Sequence, residues 1–406
     1  MSEMEYRAFC ERQRDRGIDL LQATRRLQSL RIETPSWGYG DSGTRFKVFR
    51  KVGVPRDPYE KLDDAAQVQR WTGLCPTVAI HIPWDRVSDY ATLREAACER
   101  GLEIGAVNPN LFQEDDYQFG SVCNSDPRVR RAAAAHLLEC VQVAREVQSS
   151  SLSLWFADGT NYPGQADIVS RKHWLQEALS TLYQALDPGM RMLIEYKFFE
   201  PAFYHTDLAD WGMAFAAAQK LGPQAQVLVD TGHHAPGTNV EHIVAYLLDE
   251  QKLGGFHFNG RKYADDDLIV GSTNPYELFL IFDQILRALD DDRPAVRDGA
   301  EQIAFMIDQS HCIEPKIPAM LRSVLNVQTY WAKALLINRK ALRQAQEAQD
   351  VLAAEAAVRD AFECDVRPWL EVVRSQQGLP VDPMAAYLAS GYEAKIAARG
   401  RGGASW

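Results

Sequence analysis

The chain has 406 residues with 46% hydrophobic and 24% charged side chains, the balance of a water-soluble globular protein. Its formal net charge of −11 argues against nucleic acid or an anionic membrane as partner. No apolar run approaches the length of a membrane span, and the polar N-terminus leads into no signal-like segment. The seven cysteines are scattered without a C-x-x-C pair, which reads as reduced thiols of a cytoplasmic protein.

In chain order, residues 4–31 have helical spacing and predict a leading helix. Glu33-Thr34-Pro35-Ser36-Trp37 reads as a short, irregular first strand. It opens into the glycine-rich stretch Gly38 to Gly43 and a basic run to Arg56, which fits either a lid over a site or an ordinary solvated loop. Strands are then expected at 77–81, 102–107, 152–156, 192–197, 226–229, 255–259 and 302–307, each followed by a helical pattern. Eight strand-plus-helix units predict an α/β fold, a (β/α)8 TIM barrel with an N-terminal helix and a C-terminal helical extension. A doubly wound sheet is the competing architecture, but no glycine-rich phosphate fingerprint follows any strand. The barrel is expected over 1–316. The Ala/Leu/Arg/Glu/Gln-rich remainder, 317–406, is expected to pack on the barrel or on a neighbouring subunit, with helices over 324–345 and 351–362 and a disordered end from Arg399.

Four strands run from apolar residues straight into a carboxylate or imidazole: Glu195, Asp230, His257 and Asp308. Singly each has a bland reading, a helix cap for Asp230 or a core histidine for His257. Jointly they converge on the carboxyl ends of the barrel strands, where such barrels build sites. These four can surround one ion. His233, Asp265 and Asp267 form a second pocket beside it, with Asp230 able to bridge. Oxygen and imidazole ligands without thiolate suit Mn2+, Mg2+ or Co2+, two ions per chain. Lys197, two residues past Glu195, is assigned to a substrate oxygen. Trp37, His81, Trp84, Phe112, Trp155 and Asp158 lie at strand ends or in the loops after them, and aromatic walls suit a sugar.

The order Glu195-x-Lys197, Asp230-x-x-His233, His257, Asp265-x-Asp267 and Asp308 resembles the xylose-isomerase-like sugar isomerases. The strings Asp158 to Gln165, Val229 to His234, Gly255 to Asn259 and Met306 to His311 resemble, within that group, the L-rhamnose isomerases of the Pseudomonas type. The resemblance spans about residues 30 to 330. It implies a homotetrameric enzyme that interconverts aldoses and ketoses, L-rhamnose and L-rhamnulose foremost, with tolerance for D-allose and D-allulose. It further implies a structural ion on Glu195, Asp230, His257 and Asp308, and a catalytic ion, Mn2+ or Co2+, on His233, Asp265 and Asp267. The substrate pocket would include Trp37, His81 and Trp84, and Phe112 would reach into a neighbour's site. The expected chemistry is a 1,2-hydride shift, with His81 or a bound water moving the ring-opening proton, Asp265 or Asp267 directing removal of the O2 proton and Lys197 holding O1; an enediol route with a carboxylate as base is the internal alternative. A ketose 3-epimerase with one ion is the nearest alternative, and a sugar-binding protein without turnover the more distant one.

Overall fold

The computed structural model describes residues 3–41, 48–200, 202–310 and 313–402. Its strands are β1 (Glu33–Pro35), β2 (Thr77–Ile82), β3 (Glu103–Pro109), β4 (Ser151–Trp155), β5 (Gly159–Thr160), β6 (Arg191–Glu195), β7 (His205–Thr206), β8 (Ala225–Asp230), β9 (Leu253–Phe258) and β10 (Ala304–Ile307). Among the described residues, eight of them close in the order β1-β10-β9-β8-β6-β4-β3-β2, with every pairing parallel. The chain is a (β/α)8 barrel. The other two, β5 and β7, pair antiparallel as a small ribbon above it.

Strand alternation explains the core and, one step further, the site. Outward positions such as Val78, Ile80, Leu152, Ile194, Val227 and Phe256 join the large cluster between barrel and helices. Inward positions Ala79, Ala106, Leu193, Leu228 and Met306 form a separate small cluster inside the barrel. Two residues beyond each inward core position stand His81, Asn108, Glu195, Asp230 and Asp308, so the same period that fills the barrel lifts these groups to its upper rim.

β3 carries a bulge: the register against β2 shifts between Val78 and Ile80. The Glu33 carboxylate reaches across to accept the freed Ala106 N–H at 3.1 and 3.2 Å. A Cβ on Gly105 would lie 1.5 Å from Glu33 Oε2, so this close approach requires glycine.

The leading helix is two helices, Glu3–Asp15 and Leu20–Gln28. Gly17 in the left-handed region (φ 76°) breaks the run, and Asp19 caps the second piece through Leu21 N and Gln22 N. The expected continuous 324–345 helix likewise divides into Lys316–Ala334 and Arg339–Glu347, the second capped by Asn338. Helix Lys316–Ala334 follows β10 and packs against helices Pro275–Leu289 and Pro58–Thr72, closing the outer ring. A cut at 316/317 would remove that helix. We therefore propose that the unit folding with the barrel runs at least to Ala334.

The tail turns back to the segment after β1. Gly53 N donates to Gly400 O at 2.9 Å, Val52 bridges Arg401, and Arg399 donates to Gly53 O at 3.0 Å and Asp64 at 2.9 Å. Tyr392 adds a 2.9 Å bond to the same buried Asp64. Residues 399–401 are thus tied down, contrary to the disordered end expected there, because backbone pairing and a buried ion pair hold them, while 403–406 lie outside the described residues. The glycine-rich lid candidate lies partly outside the described residues. Of its remainder, Lys51 is held by Asp41 Oδ1 (to its N–H, 3.1 Å) and by Glu314 O (from its Nζ, 2.6 Å). No helix of the described residues is long and apolar enough to cross a membrane.

Candidate metal centre and sugar pocket

A cavity of about 610 Å³ opens at the carboxyl ends of the barrel strands. Its two sides are chemically opposite. The loops and ends of β1 to β4 supply Trp37, His81, Trp84, Phe112 and Trp155, whereas β6 to β10 and their loops supply the acids, His233, His257 and Lys197.

On the charged side, Glu195, Asp230, His257 and Asp308 each bring one ligand atom within 4.8 Å of the others. Asp230, His233 and Asp265 form a second such set, so Asp230 belongs to both. Asp267 stands outside that second set. It lines the cavity and shares the Asn259 amide with Asp230, the amide donating to Asp230 Oδ1 at 2.9 Å and to Asp267 Oδ1 at 3.4 Å. Glu195 faces His257 Nδ1 at 3.1 Å and His233 Nδ1 at 3.2 Å, and His233 Nδ1 also meets the Tyr196 carbonyl at 3.0 Å. Trp37 Nε1 donates to Asp308 Oδ1 at 2.8 Å, joining the aromatic side to the first cluster.

So many buried acids cannot all ionise unaided. Burial pushes Asp230 up to about 7, with Asp265 and Glu195 reinforcing it against His233. Asp267 is raised well above the ordinary range by burial and by the Asp265 charge. The imidazoles take up the compensating protons: against burial, Asp230 and Asp265 lift His233 to about 9, and Glu195 and Asp308 lift His257 to about 10. Burial also opposes ionisation of Asp265, but His233 and Lys197 hold it well below its usual value. The buried Asp230 Oδ2 makes no hydrogen bond, and His257 Nδ1 meets only carboxylates, Glu195 Oε2 at 3.1 Å and Asp308 Oδ2 at 3.6 Å. Unsatisfied ligand atoms amid crowded carboxylates are what a divalent cation would relieve, displacing the imidazole protons as it binds. The donor set fits Mn2+, Co2+ or Mg2+.

Lys197 is buried, with Nζ 2.7 Å from Asp265 Oδ2 and 5.0 Å from the centre of the Trp155 ring. On the aromatic side His81 stacks on Trp84 (3.8 Å, 26°) and meets Trp37 edge-on (5.5 Å). Burial, then the Lys61 charge, holds His81 far below its normal value, so it is a neutral imidazole. Its backbone is fixed by Asp85, which accepts the His81 main-chain N–H at 2.8 Å and the Ser36 hydroxyl and pairs with buried Lys61 at 2.5 Å.

Phe112, which the resemblance would have reach into a neighbour's site, lines this chain's own cavity. It packs 4.9 Å from Trp155 and 5.9 Å from Trp84, on a turn whose Phe112 and Gln113 N–H groups both donate to Asn110 Oδ1. Asp158 does not reach the cavity: it is buried against Ser121, Cys123 N and Arg171, a structural anchor. Sequence reasoning missed Asn108, Glu200, Phe203 and Ser310, all cavity-lining, and Gln113, which accepts the Trp84 indole N–H at 2.5 Å. Strand alternation from Ala106 could have found Asn108.

These features define an eight-stranded parallel barrel with a carboxylate–imidazole cluster at the carboxyl ends of its strands. Residues 69–294 match the family of xylose isomerase-like TIM barrels, and the chain belongs to that family. It is 41% identical over 399 residues to a probable sugar isomerase of Rhizobium meliloti (strain 1021), covering 97% of this chain and 92% of that protein. It is also 40% identical over 403 residues to a probable sugar isomerase of Mesorhizobium japonicum (strain LMG 29417 / CECT 9101 / MAFF 303099), covering 98% and 92%. Among solved structures, an L-ribulose 3-epimerase shares the fold with a TM-score of 0.53 and 14% identity, over 77% of this chain and 99% of that one.

Proposed function

We propose that the chain is a divalent-metal-dependent aldose–ketose isomerase that interconverts L-rhamnose and L-rhamnulose, accepts other aldoses such as D-allose, and works by a 1,2-hydride shift as a cytoplasmic homotetramer. The observation that carries the reading is the pair of ligand clusters sharing Asp230, set opposite an aromatic wall in one cavity. The two relatives at 41% and 40% identity, each called a probable sugar isomerase, support the reaction class. The motif resemblance supports the choice of sugar.

In this reading Glu195, Asp230, His257 and Asp308 hold a structural ion. Asp230, His233 and Asp265, with Asp267 alongside, hold a catalytic one. Bound there, Mn2+, or Co2+ or Mg2+ in its place, supplies Lewis acidity that polarises C1–O1 and C2–O2. The protein does the remainder. Neutral His81 moves the ring-opening proton between O1 and O5. Trp84 and Trp37 stack on C–H faces of the sugar and exclude water, with Phe112 and Trp155 completing the wall. Asp265 or Asp267 directs removal of the O2 proton, Lys197 stabilises charge at O1 while hydride crosses from C2 to C1, and a proton is returned to O1 to leave the C2 ketone and C1 hydroxyl.

The test uses protein stripped with chelator and reloaded with Mn2+, incubated with L-rhamnose, D-allose and the corresponding ketoses in D2O, with products followed by NMR. Aldose–ketose interconversion with the migrating hydrogen retained is expected. Deuterium at C1 would replace the hydride shift by an enediol route. Ketose epimerised at C3 with no aldose formed would establish a 3-epimerase instead.

A further inference from the structure

Asp265 Oδ2 has two suitors. It lies 2.7 Å from Lys197 Nζ and 3.4 Å from His233 Nε2, and the same carboxylate belongs to the Asp230–His233–Asp265 cluster. An ammonium in direct contact with a ligand oxygen opposes a divalent ion beside it, both by charge and by occupying that oxygen. A second acid stands within reach of the lysine. Glu200 Oε2 is 3.9 Å from Lys197 Nζ, lines the same cavity and belongs to neither ligand cluster. Shortening that gap to a direct bond takes a shift of about 1 Å at the end of a flexible four-carbon stem.

The backbone presents Glu200 deliberately. The residue sits in the left-handed region (φ 62°), which side-chain-bearing residues rarely adopt, and its N–H donates to Ala202 O at 3.1 Å. The β5–β7 ribbon anchors the loop behind it, with Tyr204 N bonded to Thr160 O at 2.9 Å.

We infer that Glu200 is the alternative partner of Lys197, receiving the ammonium when Asp265 turns to the second cation. Lys197 and that ion compete for one carboxylate, and Glu200 relieves the competition while keeping the lysine charged and facing the substrate. Glu200 is then a positioning residue acting through Lys197. The inference rests on the two-ion isomerase reading and adds to it a residue and a linkage.

The test is a double-mutant cycle read by Mn2+ binding alone, with calorimetry and paramagnetic resonance on the full chain: parent, Lys197→Met, Glu200→Gln and the double variant. Lys197→Met should bind the second ion about tenfold more tightly, and Glu200→Gln about fivefold more weakly, with the first ion unchanged in both. The double variant should match Lys197→Met within about twofold, because Glu200 has no lysine left to receive. If Glu200→Gln weakens the second ion equally in the Lys197→Met background, Glu200 acts only through its field and the inference is overturned. No tightening in Lys197→Met, or no weakening in Glu200→Gln, overturns it as well. A parent that binds only one ion at saturating Mn2+ sinks the two-ion reading itself, whereas two ions with additive variants sink only the exchange.

Discussion

Lys197 is a test of the proposed chemistry at the scale of one side chain. Lys197→Met keeps most of the unbranched stem but removes the ammonium that faces Trp155 and is meant for O1. It should lower kcat far more than it raises KM, by about 2–4 kcal/mol of transition-state stabilisation, while both ions remain bound. An unchanged kcat on L-rhamnose or D-allose would remove it from the reaction. The second cluster gives a graded pair. Asp265→Asn takes a charged oxygen from the set that includes Asp230 and His233, so the second Mn2+ should be lost at micromolar concentrations. Asp267 lies outside that set and has a left-handed φ of 44° that Asn tolerates, so Asp267→Asn should weaken the ion less and leave the fold intact. Metal analysis after gel filtration ranks the two, and the reverse order would mean that Asp267 is the direct ligand. Glu195, Asp230, His257 and Asp308 stood out in the sequence because an ionisable group ending an apolar strand recurs four times, whereas Asp265 and Asp267 were picked out only by sharing one side of the loop after β9. Gln113 and Asn108 were not. A neutral amide resembles any polar loop residue until the side chain it holds, such as the Trp84 indole, is seen beside it.

Between strands, the point most sensitive to change is the β3 bulge. Gly105→Ala would set a methyl group 1.5 Å from Glu33 Oε2 and dislodge the carboxylate from Ala106 N–H. A loss of about 2–3 kcal/mol is expected, visible as a lower denaturant midpoint. An unaltered midpoint would mean that β1 yields without cost. The long buried strands announced themselves by apolar runs ending on turn residues, and the helices between them by 3.6-residue spacing and Asp or Asn caps such as Asp126 and Asn239. The β5–β7 ribbon escaped notice because two-residue strands have no periodicity to read. The break at Gly17 was missed for a different reason: amphipathic spacing continues on both sides of it, so the pattern hides the single left-handed residue that divides it.

Across the whole molecule, the tail-to-loop clamp ties regions that the sequence offers no means of pairing. Arg399 and Asp64 are both largely buried, and Arg399→Ala would leave Asp64 with Tyr392 alone. Breaking a buried pair from one side should cost about 3 kcal/mol, and Asp64→Asn in the same background should recover part of it. Denaturation of the single and double variants measures both effects. Equal losses in the two would show that Arg399 contributes packing rather than charge. The barrel itself was predictable because its contacts run between neighbouring units, each carrying its own pattern, whereas this clamp depends on a few polar atoms far apart in the chain.

That distance has a consequence in time. Gly53 and Arg399 are separated by 346 positions. A ribosome adding about 5–20 residues per second needs roughly 20–70 s to go from one to the other. Throughout that interval the segment leaving β1, which follows Trp37, is already made but lacks the partner that fixes it. The stretch at Val52 and Gly53, made early, is therefore among the last to be secured.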